Sequence, residues 1–178
     1  MSHYLAPVIT ASAEWLERAY AATSSPVLAV WAGIQARQAT TVAAWLRYPT
    51  VVDAALVAMA GPGGAGRLDA LVASVPAPAE SAPAEPWRSW VDEVVVSWAA
   101  CLLTDAEVAR DAVAAAATTE HAAGLALDFR ALLRPDTIDA RAAALLRHPD
   151  LVRPVAGLYR TELLARVRSG EAPPAAVP

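Results

Sequence analysis

The residues with which this chain could do acid–base, nucleophilic or metal chemistry are few: three histidines, one cysteine and scattered carboxylates. A metal site in a helical protein needs His and carboxylate ligands converging from one face, as Glu-x-x-His repeats provide. Here Glu120 and His121 are neighbours and point about 100° apart on a helix, His3 lies in what reads as a flexible end, and His148 stands at a helix corner. No metal site and no cofactor is expected. A nucleophilic Cys101 or serine would have to meet a base and a carboxylate in space. His121 is the one reasonable base, and beside Glu120 it reads first as a capping or surface histidine. Asp92 and Glu93 diverge on a helix and read as a solvated face rather than an acid–base pair. The Gly61 to Gly66 run has no Lys-Ser or Lys-Thr after it and no strand before it, so it reads as a turn and not a phosphate loop. Catalysis is thus not the leading expectation.

What remains for recognition is arginine and tryptophan. All 14 cations are arginine. From Arg130 to Arg168 stand Arg130, Arg134, Arg141, Arg147, Arg153, Arg160, Arg166 and Arg168 against Asp136, Asp139, Asp150 and Glu162, eight charges less four, or about +4. Arg153 and Arg160, seven residues apart, are expected on one face of a last helix, with Arg147 at the corner before it. Together with Arg130 and Arg134 they form a candidate partner- or anion-binding edge, the plainer alternative being that they solvate the last helices. Of the 6 tryptophans, Trp31, Trp45, Trp90 and Trp98 are candidates for a pocket or interface, although their helical spacing places them in a core first. The net charge of -4 argues against a general nucleic-acid binder.

The elements that must carry these residues are helices. About a quarter of the chain is alanine, the best helix former, and no stretch alternates apolar and polar residues as a half-buried strand does. An all-α bundle of about eight helices is expected, in one domain made of two halves (10–75 and 87–170) joined by a Pro/Ala-rich linker (76–86) and ending in a disordered tail (171–178). A first helix is expected from Ser12 to Ala22. A second starts at the Ser25 cap with Pro26 in its first turn and runs to Arg47; its stripe Val27, Trp31, Ile34, Gln38, Thr41 and Trp45 should face the core. Tyr48-Pro49 ends it, and Thr50 with Asp53 caps a third. Arg67 to Val75 resumes helical spacing. Further helices are expected from Trp87 to Leu103, from a Thr104–Glu107 capping box to Ala117, from Thr118 or Thr119 to Leu133, from Asp136 or Asp139 to His148, and from there to about Arg168. Ala43 to Val52 aligns without gaps on Ala143 to Val152 with six identities, so both halves use a helix-Pro-helix corner.

These features point first to a non-catalytic helical interaction or assembly protein, with self-association or a protein partner. A second reading is an amphipathic coat or accessory protein on a lipid or polyester granule, suggested by a mean hydropathy of +0.35. A third is an enzyme or small-molecule binder with a Trp-lined pocket between the halves, an arginine orienting an anionic group. No secretory leader is evident, the most apolar runs are about half the roughly 20 residues of a membrane span, and the single Cys101 reads as a buried hydrophobe. A cytoplasmic protein is expected.

Overall fold

The computed structural model describes residues 3–20, 25–72, 86–138, 141–142 and 149–169, and among them the chain is all-α with no strand. The expected linker lies almost wholly outside these residues, as do the tail 171–178 and Arg147. The centre of the fold is helix α5 (Glu93–Thr104), in which every residue from Val95 to Leu103 is buried. Its most extensive neighbour is α2 (Pro26–Arg47), and α1 (Ala6–Tyr20) packs on both. One hydrophobic core therefore runs through residues on both sides of the expected linker.

The first helices begin and end where local chemistry dictates, with one exception. The Ser25 side chain accepts from Leu28 N and Pro26 occupies the first turn of α2, while Tyr48 before Pro49 ends it. Thr50 and Asp53 form a reciprocal capping box on α3 (Val51–Ala60), and Gly61, at φ 79°, stops it in a backbone region that costs glycine nothing. The chain turns by 103° between α2 and α3. After the glycines comes α4 (Gly66–Val72). The exception is α1, which starts at Ala6 instead of Ser12: a 3₁₀ turn (His3–Leu5) leads into it, Pro7 fits its first turn, and Leu5 and Val8 are fully buried. His3 thus belongs to an ordered turn, not a flexible end.

The predicted core face of α2 is also corrected. Val27 is 62% exposed and Ile34 38%, and Trp31, Gln38 and Thr41 are only half-buried; of that stripe Trp45 alone is buried. The buried face is Ala32, Gln35, Ala36, Ala39, Thr40, Val42, Ala43 and Leu46 with their neighbours. Alanine makes up half of the inward face because α2 lies against the buried stretch of α5 from Val95 to Leu103, where bulk is hard to place without strain.

Four elements of the second half differ from expectation. Trp87 to Leu103 is not one helix: a 3₁₀ turn (Pro86–Trp90) precedes α5, whose N-cap is Asp92. The cap of α6 (Ala106–Ala116) is Asp105, accepting from Glu107 N and Val108 N, because the Thr104 hydroxyl bonds back to Ala100 O and Cys101 O inside α5. Thr119 makes no side-chain cap, and in place of a long helix come a 3₁₀ turn (Glu120–Ala122), an irregular stretch, and the four-residue α7 (Arg130–Leu133). Asp136 does accept from Ile138 N, but the helix expected there lies largely outside the described residues. The last helix is two, α8 (Pro149–Gly157) and α9 (Arg160–Ser169), broken where Tyr159 N donates to Ser97 Oγ and Tyr159 O accepts from Trp98 Nε1. Cys101 is buried as expected, its thiol bonding Ala156 O at 3.0 Å and pushed up in pKa by burial.

Asp92 is the largest departure. Read as solvated, it is 3% exposed. One carboxylate oxygen accepts from Val94 N and Val95 N, and the other from the Tyr48 hydroxyl, so a single side chain starts α5 and holds the end of α2. Asp92→Ala removes a cap and strands a phenol, and should cost about 2–4 kcal/mol in urea unfolding. Burial, then the Asp92 hydrogen bond, holds the Tyr48 phenol above its ordinary value of 10.0. A raised folded-state pKa gives stability that is complete below the unfolded value and lost as pH climbs through the folded one. The stability advantage of the wild type over Tyr48→Phe should therefore shrink above about pH 10, which unfolding curves measured across that range would reveal.

Candidate functional site

The corner between α2 and α3 is clamped from below by the turn at Glu120. Glu120 N donates to Pro49 O, the Glu120 carboxylate accepts from Val51 N at 2.8 Å, and His121 Nε2 lies 2.6 Å from Tyr48 O. A carbonyl can only accept, so that ring nitrogen carries the proton and donates. His121 is thus a buried structural histidine packed beside Trp45, and not a surface cap. From the far side Arg166 Nε donates to Leu46 O, a cation meeting the carbonyl end of α2. These contacts fix the direction in which α3 leaves the body.

What α3 presents in that direction is apolar. Val51 is 44% exposed, Val52 67%, Leu56 59% and Met59 85%, and with Ala55 they cover an arc of about 140° at 3.6 residues per turn. The buried residues of the helix are Ala54 and Val57, while its two largest side chains, Leu56 and Met59, are exposed. The polar outer face usual for a surface helix is missing from α3. The only ionisable residue of α3, Asp53, is held in the capping box. The turn carrying the half-exposed Tyr4 packs against α3, and a hollow of about 490 Å³ between Met59, the glycines Gly61, Gly63 and Gly64, and Trp90 opens at its far end.

The residues singled out from sequence are dispersed. Trp45 is buried edge-on to Phe129 with centroids 6.0 Å apart, and Trp98 is buried with its N–H on Tyr159 O, so both are core. Trp31 is half-buried, and Trp90 walls the hollow beside Met59. Arg130, Arg134 and Arg153 are exposed, Arg160 is paired with Asp105 at 2.9 Å, and Arg147 lies outside the described residues. Arg153 and Arg160 stand on different helices, α8 and α9, because of the break at Tyr159. Cys101 and His121 have separate backbone partners and do not form a nucleophile–base pair. Among the described residues no three His, Cys, Asp or Glu side chains gather as metal ligands, and no single helix is long and apolar enough to cross a membrane.

Two surface features have no signal in the sequence. One is a cleft of about 280 Å³ containing Trp15, Arg18, Asp69 and Trp87. The other is a shallow groove of about 680 Å³ along the outward stripe of α2, bounded by Val30, Ile34, Arg37, Phe129 and Glu17. Burial raises the pKa of Glu17, and the charge of Arg37 partly opposes it. Compared with protein-family models, curated proteins and solved structures, the chain has no significant match.

Gly33 forms the floor of this groove. A Cβ there would come 3.1 Å from Glu17 Oε1, the movable end of a half-buried side chain. Gly33→Ala should therefore stabilise the protein by about 0.5–1 kcal/mol through helix propensity. A loss of stability in thermal or urea unfolding would mean that Glu17 is held in place.

Proposed function

We propose that this protein is a non-catalytic helical assembly protein that pairs with a second copy of itself through the outward face of α3. The observation that supports this reading is the apolar outward face of α3: Leu56 and Met59, its two largest side chains, are 59% and 85% exposed, beside the exposed Val51 and Val52. The four exposed residues present on the order of 400 Å² of apolar surface, about half of the ~800 Å² that each partner buries in a standard interface.

A second copy fits this face better than a charged partner does. A two-fold interface sets one patch against itself, which is costly when the patch carries charge. Between Thr50 and Gly61 the sole charge is the capped Asp53, so no like charges are brought together there. The hollow beside Trp90 gives the patch relief into which a flexible side chain such as Met59 can pack. The coat reading ranks behind this one: helices that lie on lipid carry Lys or Arg along their polar face, and α3 has neither.

Light scattering across a wide concentration series should give twice the monomer mass for the wild type, and the monomer mass for Leu56→Glu combined with Met59→Glu. Both changes are on exposed positions, so far-UV circular dichroism and melting temperature should stay nearly unchanged. A wild-type monomer at every concentration, or a double variant that keeps the dimer mass, would sink the proposal. Binding of monomeric wild type to anionic vesicles, lost in the double variant, would put the coat reading in its place.

A further inference from the structure

We propose that the cleft between α1, α4 and the turn Pro86–Trp90 binds a small organic anion, a carboxylate or phosphate group carried on a flat apolar body. The cleft is built around one carboxylate that is engaged at both oxygens. Asp69 Oδ1 accepts the Trp15 indole N–H at 2.9 Å, and Oδ2 pairs with Arg88 Nη2 at 2.7 Å. Asp69 thereby balances Arg88 and fixes Trp15, which is itself buried.

Arg18 is left over. Its guanidinium lies 4.6 Å from the centroid of Trp87, and the Arg88 guanidinium lies 5.9 Å from the same ring. A cation–π contact accounts for either one alone. Two like charges on one indole repel, and Asp69 cancels only one of them. Among the described residues no carboxylate is within ion-pairing distance of Arg18, neither Asp69 nor Glu14 one turn before it. Among the described residues the cleft therefore holds one uncompensated, exposed guanidinium beside the apolar walls of Trp15, Val72 and Trp87.

That combination selects a ligand class. A guanidinium offers a planar fork of N–H donors that matches the two oxygens of a carboxylate or phosphate. Indole and valine surfaces take a flat apolar body. At about 280 Å³ the cleft is at the lower edge of the roughly 300–1,000 Å³ of small-molecule sites, which suits a single ring.

The test uses the full chain and intrinsic tryptophan fluorescence, checked by calorimetry, since Trp15 and Trp87 report from inside the cleft. Benzoate and phenyl phosphate supply the two anion types on one ring, benzamide is the uncharged counterpart, and inorganic phosphate is the anion alone. At least one of the two aryl anions should quench saturably, and the stronger identifies the headgroup. Benzamide and inorganic phosphate should each bind at least tenfold more weakly. Arg18→Gln and Trp87→Leu, each with an unchanged circular dichroism spectrum, should weaken binding at least tenfold, while Arg110→Gln, exposed on α6, should not. The two cleft variants are independent, so misfolding of one leaves the other to decide. No saturable binding, equal binding of benzamide, tight binding of bare phosphate, or full affinity in the folded cleft variants would overturn the proposal.

Discussion

An α-helix enclosed by protein has no water at its first turn to satisfy the N–H groups that lack an intrahelical partner, and α5 is such a helix. Asp92 meets that requirement, and most of the architecture hangs on how it does so. One carboxylate oxygen serves the α5 backbone, which leaves the other in a buried place with a full capacity to accept. The Tyr48 hydroxyl fills it, and Tyr48 is the residue that closes α2. The end of one central helix is thus tied to the start of the other. The same Tyr48 supplies the carbonyl that accepts the His121 ring N–H, and the adjacent turn places Glu120 on the first N–H of α3. A charge buried without such partners would cost several kcal/mol; surrounded by donors, it becomes the point from which the corner of α2 and α3 is set.

The local grammar of the chain is legible in its sequence because it depends on neighbours. Ser25-Pro26, Thr50 with Asp53, and Gly61 each act within three or four residues, and each does what its type implies. The inward face of α2 is not legible, for a reason specific to alanine. When a helix carries apolar residues on every side, periodicity no longer distinguishes core from surface, and larger residues such as Val27 and Ile34 look like the core face. The inward face is decided by how closely α2 lies on α5, and that favours Ala32, Ala36, Ala39 and Ala43. The same blindness hides the face of α3, whose ten residues are almost uniformly apolar. Asp92 escapes for a different reason. A buried acid is rare without partners, and its partner Tyr48 stands 44 residues away. Trp15 meets Asp69 across 54 residues, so that cluster is hidden in the same way.

The tryptophans divide by what their N–H groups find. Trp98 gives its N–H to a carbonyl exposed by the break between α8 and α9, and is locked in the core. Trp15 gives its own to a carboxylate that also holds an arginine, and so sits at the boundary between core and cleft. Six large amphipathic rings in an alanine-rich chain supply the volume that alanine lacks, and their polar edges then demand partners. Where the partner is backbone the site is closed. Where it is a charged side chain, as at Asp69, the site also holds that carboxylate's arginine, and Arg88 lies over the Trp87 ring that Arg18 covers more closely.

The two surfaces proposed for binding are not independent in the covalent sense, because the five-residue turn Pro86–Trp90 contributes to both. Trp87 forms a wall of the anion cleft and Trp90 a wall of the hollow at the end of α3. Between them, Arg88 is pinned to Asp69 of α4, and directly after the turn Val91 O accepts from Gly64 N in the glycine segment that joins α3 to α4. A short 3₁₀ turn has little internal stability of its own, so its geometry is set by these outside contacts. Anything that repositions Trp87 must work against the Asp69–Arg88 pair and the Gly64–Val91 hydrogen bond before it reaches Trp90.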